Sequence, residues 1–210
     1  MYKFKNLNHF YLNPNCISKA SYQQMPIFDQ NKFSMLKAGL VGAGHLGKIH
    51  LKLLNQSEKY EFIGFHNKDV ENGKKLEAEL GYKYFENFDE LLSQIEVLDI
   101  VTPTLYHYDY AMQAIEKGIH FFIEKPVTHT LEQAETILSL CKEKGIKAQV
   151  GHVERYNPAF IATKEYIQNP MFIEIHRLAE FNPRGTDVSV VLDLMIHDLD
   201  ILLSMVKSKV

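Results

Sequence analysis

Four groups of residues in this 210-residue chain could do chemistry. The first is Gly42-Ala43-Gly44-His45-Leu46-Gly47. Gly42 permits a tight turn, Gly44 lets a pyrophosphate approach the backbone, and Gly47 lets the following helix pack close to its strand. His45 and Leu46 open that helix, whose free N–H groups and positive dipole end suit phosphate. The second is Glu124-Lys125-Pro126. An ammonium there can donate to a substrate hydroxyl and stabilise an alkoxide that forms as hydride leaves. Glu124 belongs to the same turn, and Pro126 fixes the backbone direction. Solvated turn charges are the plainer account of a Lys–Glu pair, and position at a strand end favours the functional one.

The third group is Asp193, His197, Asp200 and Ser204, spaced i, i+4, i+7 and i+11 in an apolar segment. That spacing predicts one polar stripe on a helix. His197 has the pKa range for proton transfer, and Asp193 one turn earlier can orient the imidazole and stabilise its cation. A half-exposed helix with locally satisfied polar groups fits the same pattern. The fourth group is Thr102-Pro103-Thr104 with His107, which either lines a nicotinamide-side cleft or caps a helix start. No His or Cys spacing supports a metal site.

The ribose of a dinucleotide is expected to meet an acidic residue about twenty positions after the glycines. Asn67 stands there instead, in His66-Asn67-Lys68-Asp69. It can bond a ribose hydroxyl without repelling a 2′-phosphate, and Lys68 could attract one. The choice between NAD and NADP is open, and so is a plain polar turn.

The elements that must position these groups are legible as a rhythm. Short apolar runs at 37–41, 62–65, 82–85, 97–101, 120–123 and 147–150 predict six strands. Helix-period segments at 46–55, 71–80, 88–95, from 105 onward, and at 131–144 separate them. Gly118 and Gly145 stop the last two. Alternation of this kind predicts a doubly wound α/β parallel sheet, with ligands at the carboxyl ends of its strands. After residue 153 the rhythm changes. A helix is predicted at 158–168, a long strand at 172–181 and a strongly apolar helix at 188–206. The segment Gly151-His152-Val153-Glu154-Arg155-Tyr156-Asn157-Pro158 between them is polar and aromatic, as a ligand cleft or a linker would be.

Composition narrows the class. A formal net charge of -3 offers no basic surface for nucleic acid. Hydrophobic residues form 46% of the chain, enough for a core, and no apolar run is long enough to span a bilayer. Two isolated cysteines, Cys16 and Cys141, suit a reducing cytoplasm.

Taken in order, 38–50 with its glycines, 102–107, Glu124-Lys125-Pro126 and Asp193-x-x-x-His197 resemble the Gfo/Idh/MocA oxidoreductase family over about residues 35–210. The resemblance implies a Rossmann domain at 35–153 that binds NAD or NADP through Gly42, Gly44, His45, Leu46, Gly47, Asn67, Thr102, Pro103, His107, Glu124 and Lys125. It implies a substrate and oligomerisation domain beginning at 154, of which 154–210 would be an incomplete start, and a homo-oligomer at full length. Carried over, Lys125 holds the reacting oxygen, His197 is the acid/base and Asp193 assists it. Residues 151–158 resemble a segment of members that act on nucleotide sugars, with Tyr156 in place of Phe. This implies a sugar or UDP-N-acetylhexosamine substrate, with Arg155, Tyr156 and Asn157 as its contacts. The competing reading is a dinucleotide-binding module without catalysis, either a sensor or a truncated remnant. Residues 1–34 show no sustained period. They read either as an irregular extension or as misassigned upstream translation before Met35, and the latter is preferred here.

Overall fold

A computed structural model describes residues 35–167, 170–178 and 189–206. The expectations for 1–34, for Gln168, for 179–181, for Val188 and for 207–210 lie outside the described residues. Six parallel strands form one sheet in the order β3-β2-β1-β4-β5-β6. They are β1 (Leu36–Val41), β2 (Tyr60–His66), β3 (Tyr84–Phe85), β4 (Val97–Ile100), β5 (His120–Ile123) and β6 (Ala148–Val150). The helices α1 (His45–Gln56), α2 (Val70–Leu80), α3 (Phe88–Leu92), α4 (His107–Glu116) and α5 (Leu131–Lys144) connect them. This is the doubly wound α/β fold that the alternation predicts.

Neighbouring residues of each strand serve opposite faces, as a period of two requires. In β1, Leu40 packs with Leu51 of α1, Leu76 of α2 and Phe65. Val41 packs with Leu98, Ile100, Ala111, Ile115 and Ile123 on the side of α4 and α5. Leu40, Leu51, Leu98, Ile100 and Ile123 are all 0% exposed. Burial of each such side chain contributes about 1.5–3 kcal/mol, so the sheet is fixed mainly by its two apolar faces. Local signals agree with them. Asp69 caps α2 by accepting from Asn72 N–H at 3.0 Å, and Gly145 ends α5 in the left-handed conformation.

The strand register aligns the carboxyl ends. His66, Val41, Ile100, Ile123 and Val150 occupy one row across β2, β1, β4, β5 and β6. The residues just beyond that row therefore share one edge of the sheet: Asn67, Gly42, Thr102, Glu124-Lys125 and Gly151-His152. The order of strands reverses between β1 and β4, where a ligand crevice belongs in this fold.

Beyond β6 the expectations need correction. After a short 3-10 turn, Val153–Tyr156, helix α6 covers only Pro158–Thr163. Residues 172–178 form no strand. A strand exists through the ladder of a partner, and no described residue supplies one here. The apolar helix opens as a π-helical turn, Val191–Met195, and continues as α7 (Ile196–Met205). Among the described residues no helix is long and apolar enough to cross a membrane.

Candidate active site

The glycine turn is built as its sequence demands. Gly42 has φ +96°, and a Cβ there would lie 2.6 Å from Thr102 N. A Cβ on Gly47 would lie 2.0 Å from Gly42 O. Each contact is impossible for a side chain, so both glycines are set by close backbone packing. Gly44 differs. A Cβ there meets nothing within 4 Å, and Gly44 caps α1 without any side-chain hydrogen bond. The first N–H groups of α1 thus have no side-chain cap, and Gly44, His45 and Leu46 are all exposed there. An uncapped helix start is an anion site. Across the crevice, Thr102 Oγ1 is buried with no hydrogen-bond partner. Open space at Gly44, uncapped N–H groups and an orphan hydroxyl together fit a dinucleotide.

Asn67 supports the turn instead of standing free. Its Oδ1 accepts from Ala43 N–H at 3.3 Å, and its Nδ2 donates to Asp69 O at 3.0 Å. Lys68 Nζ lies 4.8 Å from the centre of the Tyr106 ring. No carboxylate stands where the fingerprint expects one. His107 is 1% exposed, with Nδ1 2.9 Å from Pro126 O and Nε2 2.8 Å from Thr102 O. It therefore ties the β4 turn to the β5 turn at the start of α4, which departs from the cleft-lining alternative and agrees with a helix start. Pro103 is exposed, and Thr104 begins a 3-10 turn.

At the end of β5, Glu124 is 6% exposed and accepts from Lys125 N–H at 3.1 Å. Burial pushes its pKa up against the nearby His50 and that amide. The Lys125–Pro126 peptide is cis. Lys125 Nζ donates to Asp193 Oδ1 at 2.9 Å and to Asp193 O at 2.8 Å. An ammonium has three N–H donors, so one remains for a ligand.

The stripe expected on 188–206 is divided among three partners. The π turn holds more residues than an α turn and shifts the phase of Asp193 relative to His197. The Asp193 carboxylate consequently goes to Lys125, not to the imidazole. Asp200 is 8% exposed and receives a fork from Arg155, at 2.6 Å from Nε and 2.5 Å from Nη2. Ser204 Oγ donates to Ile201 O within the helix. His197 keeps Nδ1 buried and without a hydrogen-bond partner. Burial lowers its pKa, and Lys125, Arg177 and His152 lower it further against Glu154. His197 is thus held neutral within electrostatic reach of the Lys125 ammonium.

Residues 155–157 divide differently from the expectation. Arg155 is committed to Asp200. Asn157 caps α6 by accepting from Ala159 N–H at 3.0 Å and donates to Glu154 at 3.0 Å. Tyr156 is 54% exposed. Sequence reasoning passed over His152, whose Nδ1 is buried without a hydrogen-bond partner, 3.8 Å from Asp200 Oδ1. Burial lowers its pKa despite Asp200. It also passed over His50 and Asp99. An aspartate inside the apolar run 97–101 was the available signal for Asp99. Among the described residues no cluster of three or more His, Cys, Asp or Glu could hold a metal ion.

Comparison with known proteins agrees with this geometry. Residues 36–152 match the Gfo/Idh/MocA family model, described as an oxidoreductase family with an NAD-binding Rossmann fold. UDP-N-acetylglucosamine 3-dehydrogenase of Acidithiobacillus ferrooxidans is 35% identical over 177 residues, 80% of this chain and 53% of that enzyme. A solved structure of the same enzyme superposes with a TM-score of 0.78 at 33% identity, covering 84% of this chain and 58% of that one. The NAD(+) scyllo-inositol 2-dehydrogenase of Bacillus subtilis is 30% identical over 181 residues, 79% of this chain and 52% of that enzyme. The chain spans about half the length of these curated relatives.

Proposed function

The chain belongs to the Gfo/Idh/MocA oxidoreductase family, and from that membership and the site geometry we propose that it acts as an NAD(P)-dependent dehydrogenase on a hydroxyl of a sugar or nucleotide sugar. The observation that carries the reading is Lys125 Nζ, fastened by Asp193 within electrostatic reach of a half-buried His197 whose pKa is lowered, on the edge that also bears the glycine turn. The relatives named above, a nucleotide-sugar dehydrogenase and an inositol dehydrogenase, support the substrate class. A UDP-N-acetylhexosamine is the specific candidate.

Residues 35–153 are the cofactor half, a boundary supported by the family match at 36–152. Gly42, Gly44 and Gly47, with the N–H groups of α1, would hold the pyrophosphate, and Asn67, Lys68 and Thr102 border the rest. When bound, the nicotinamide supplies hydride acceptance or donation. The protein's part is proton and charge control. Lys125 donates its remaining N–H to the substrate oxygen and stabilises negative charge on it. Neutral His197 accepts the hydroxyl proton during oxidation and returns it during reduction. Asp193 keeps the ammonium aimed. Residues from 154 onward belong to the substrate half, which would also mediate a homo-oligomer. A net charge of -3 argues against nucleic acid as a partner, and the free buried thiol Cys141 suits a reducing cytoplasm.

The test is purified protein with NAD and NADP against a panel of UDP-sugars and polyols, read at the absorbance of the reduced nicotinamide. Turnover that Lys125→Ala or His197→Ala abolishes is the expected result. Dinucleotide binding without turnover of any hydroxyl substrate would instead favour a non-catalytic module or an inactive remnant.

A further inference from the structure

Behind Lys125 lies a cluster that the proposed chemistry does not use. His50 projects from α1, the helix that follows the glycine turn. Its Nδ1 lies 2.9 Å from Asp99 Oδ2 on β4, and its Nε2 lies 3.5 Å from Glu124 Oε1 at the end of β5. All three side chains are at most 15% exposed. The other Glu124 oxygen accepts from the Lys125 amide. Glu124 is also pinned from behind: a Cβ on Gly151 would lie 2.7 Å from its Oε1. An unbroken path of polar contacts therefore runs from α1 through His50 and Glu124 to Lys125, and on to Asp193.

As a stability device this cluster is poor. Buried ion pairs add little against well-packed apolar residues, because desolvation offsets the attraction. Asp99 Oδ1 is moreover buried with no hydrogen-bond partner, which costs stability. Two carboxylates and one imidazole in this place need another reason.

We propose that His50 is a positioning residue: it holds the Glu124 carboxylate against the Lys125 amide and thereby fixes the Lys125 ammonium on Asp193 and at the substrate oxygen. The inference rests on the role given to Lys125 above. The groups facing His50 are Asp99 from β4 and Glu124 and the Phe122 ring from β5, with Tyr60 of β2 within reach of Asp99. Burial works against the imidazolium, and the hydrogen bond to Asp99 and the charges of Asp99 and Glu124 outweigh it, so its pKa is raised. Nδ1 then donates to Asp99, and the N–H on Nε2 faces Glu124 Oε1 at 3.5 Å as an ion pair.

Two near-isosteric variants separate the two links. His50→Asn retains a donor near Nδ1 and cannot reach Glu124, whereas His50→Gln places its donor near Nε2. The readout is the rate of limited lysine acetylation, followed by mass spectrometry, with Lys125 normalised to the exposed Lys142. In His50→Asn, Lys125 should label at least about twofold faster, the lower end of coupling within one network. Its kcat should fall about tenfold, the scale of a small misplacement of a reacting group, with KM little changed. His50→Gln should restore both. In the unaltered protein, Lys125 labelling relative to Lys142 should step upward as pH rises through the His50 titration, and neither variant should show that step. Equal Lys125 labelling in all three proteins would overturn the proposal, as would equal behaviour of Asn and Gln. If His50→Asn does not fold, Asp99→Asn is read in the same way. A protein that binds no dinucleotide would sink the proposed function and leave the labelling result intact.

Discussion

At the scale of single residues, the site is an arrangement of protons. Lys125 presents two donors to Asp193 and keeps one. Replacing Lys125 with Met should leave dinucleotide affinity nearly unchanged while lowering kcat about a hundredfold or more, the usual worth of one oxyanion donor. Equilibrium dialysis against NAD and steady-state kinetics check the two halves separately. His197 sets the acid side of the pH profile. Its pKa lies below 6.5, so protonation of the free enzyme starts to remove the base only as pH falls below that ordinary value. The acid limb of kcat/KM for alcohol oxidation should therefore lie below pH 6.5 and disappear in His197→Ala. A limb at or above 6.5 would contradict the assignment. The same shift has a sign for stability. A histidine depressed by folding takes up its proton more readily when unfolded, so its contribution is present above 6.5 and is lost as pH falls. His152 acts in that direction and His50 in the opposite one, since its raised pKa gives stability that is lost as pH rises above 6.5.

At the scale of elements, the first βα unit makes its own prediction. Gly47→Ala forces a Cβ onto Gly42 O and should unfold the turn, lowering the melting temperature along with cofactor binding. Gly44→Ala meets no protein atom. It should keep the melting temperature within about 2 °C while weakening dinucleotide binding tenfold or more, because the methyl fills the space left for phosphate. Circular dichroism and calorimetric titration distinguish them, and a Gly44→Ala protein that binds as before would remove the pyrophosphate from this turn. The apolar helix adds a second lesson. Its period of 3.6 placed Asp193 under His197, but a π turn moved it to Lys125. No local residue announces that turn. Helix α5 shows a milder form. Its ends were legible, yet its apolar Leu131 and Leu138 are 69% and 54% exposed, and only Ile137 and Cys141 are buried. What a face meets depends on which element lies opposite.

For the whole molecule, the parallel sheet brings five distant segments to one edge, and a ligand bound there should stabilise all of them. Dinucleotide at about one hundred times its Kd adds roughly 2.7 kcal/mol. At the sensitivity of a domain this size, the melting temperature should then rise by about 5–10 °C. Scanning calorimetry with NAD and NADP in parallel also ranks the two cofactors. Asn67 is occupied by Ala43 and Asp69, and no carboxylate repels a 2′-phosphate, so NADP should give a shift at least equal to that of NAD. A shift with NAD alone would reverse that ranking.

The alternation of strands and helices, the glycine turn and the order of the site motifs could all be read along the chain. These are local properties: hydrophobic period, turn chemistry and close backbone packing are written in neighbouring residues. The family resemblance, too, followed from motifs read in order along the chain. The partners come from tertiary packing. It put Asp193 on Lys125, Arg155 on Asp200, His107 between two turns and His50 between two carboxylates. Each pair is separated by 19 to 74 residues or by a change of element, and only the register of the sheet and the phase of the last helix bring such groups within hydrogen-bond reach.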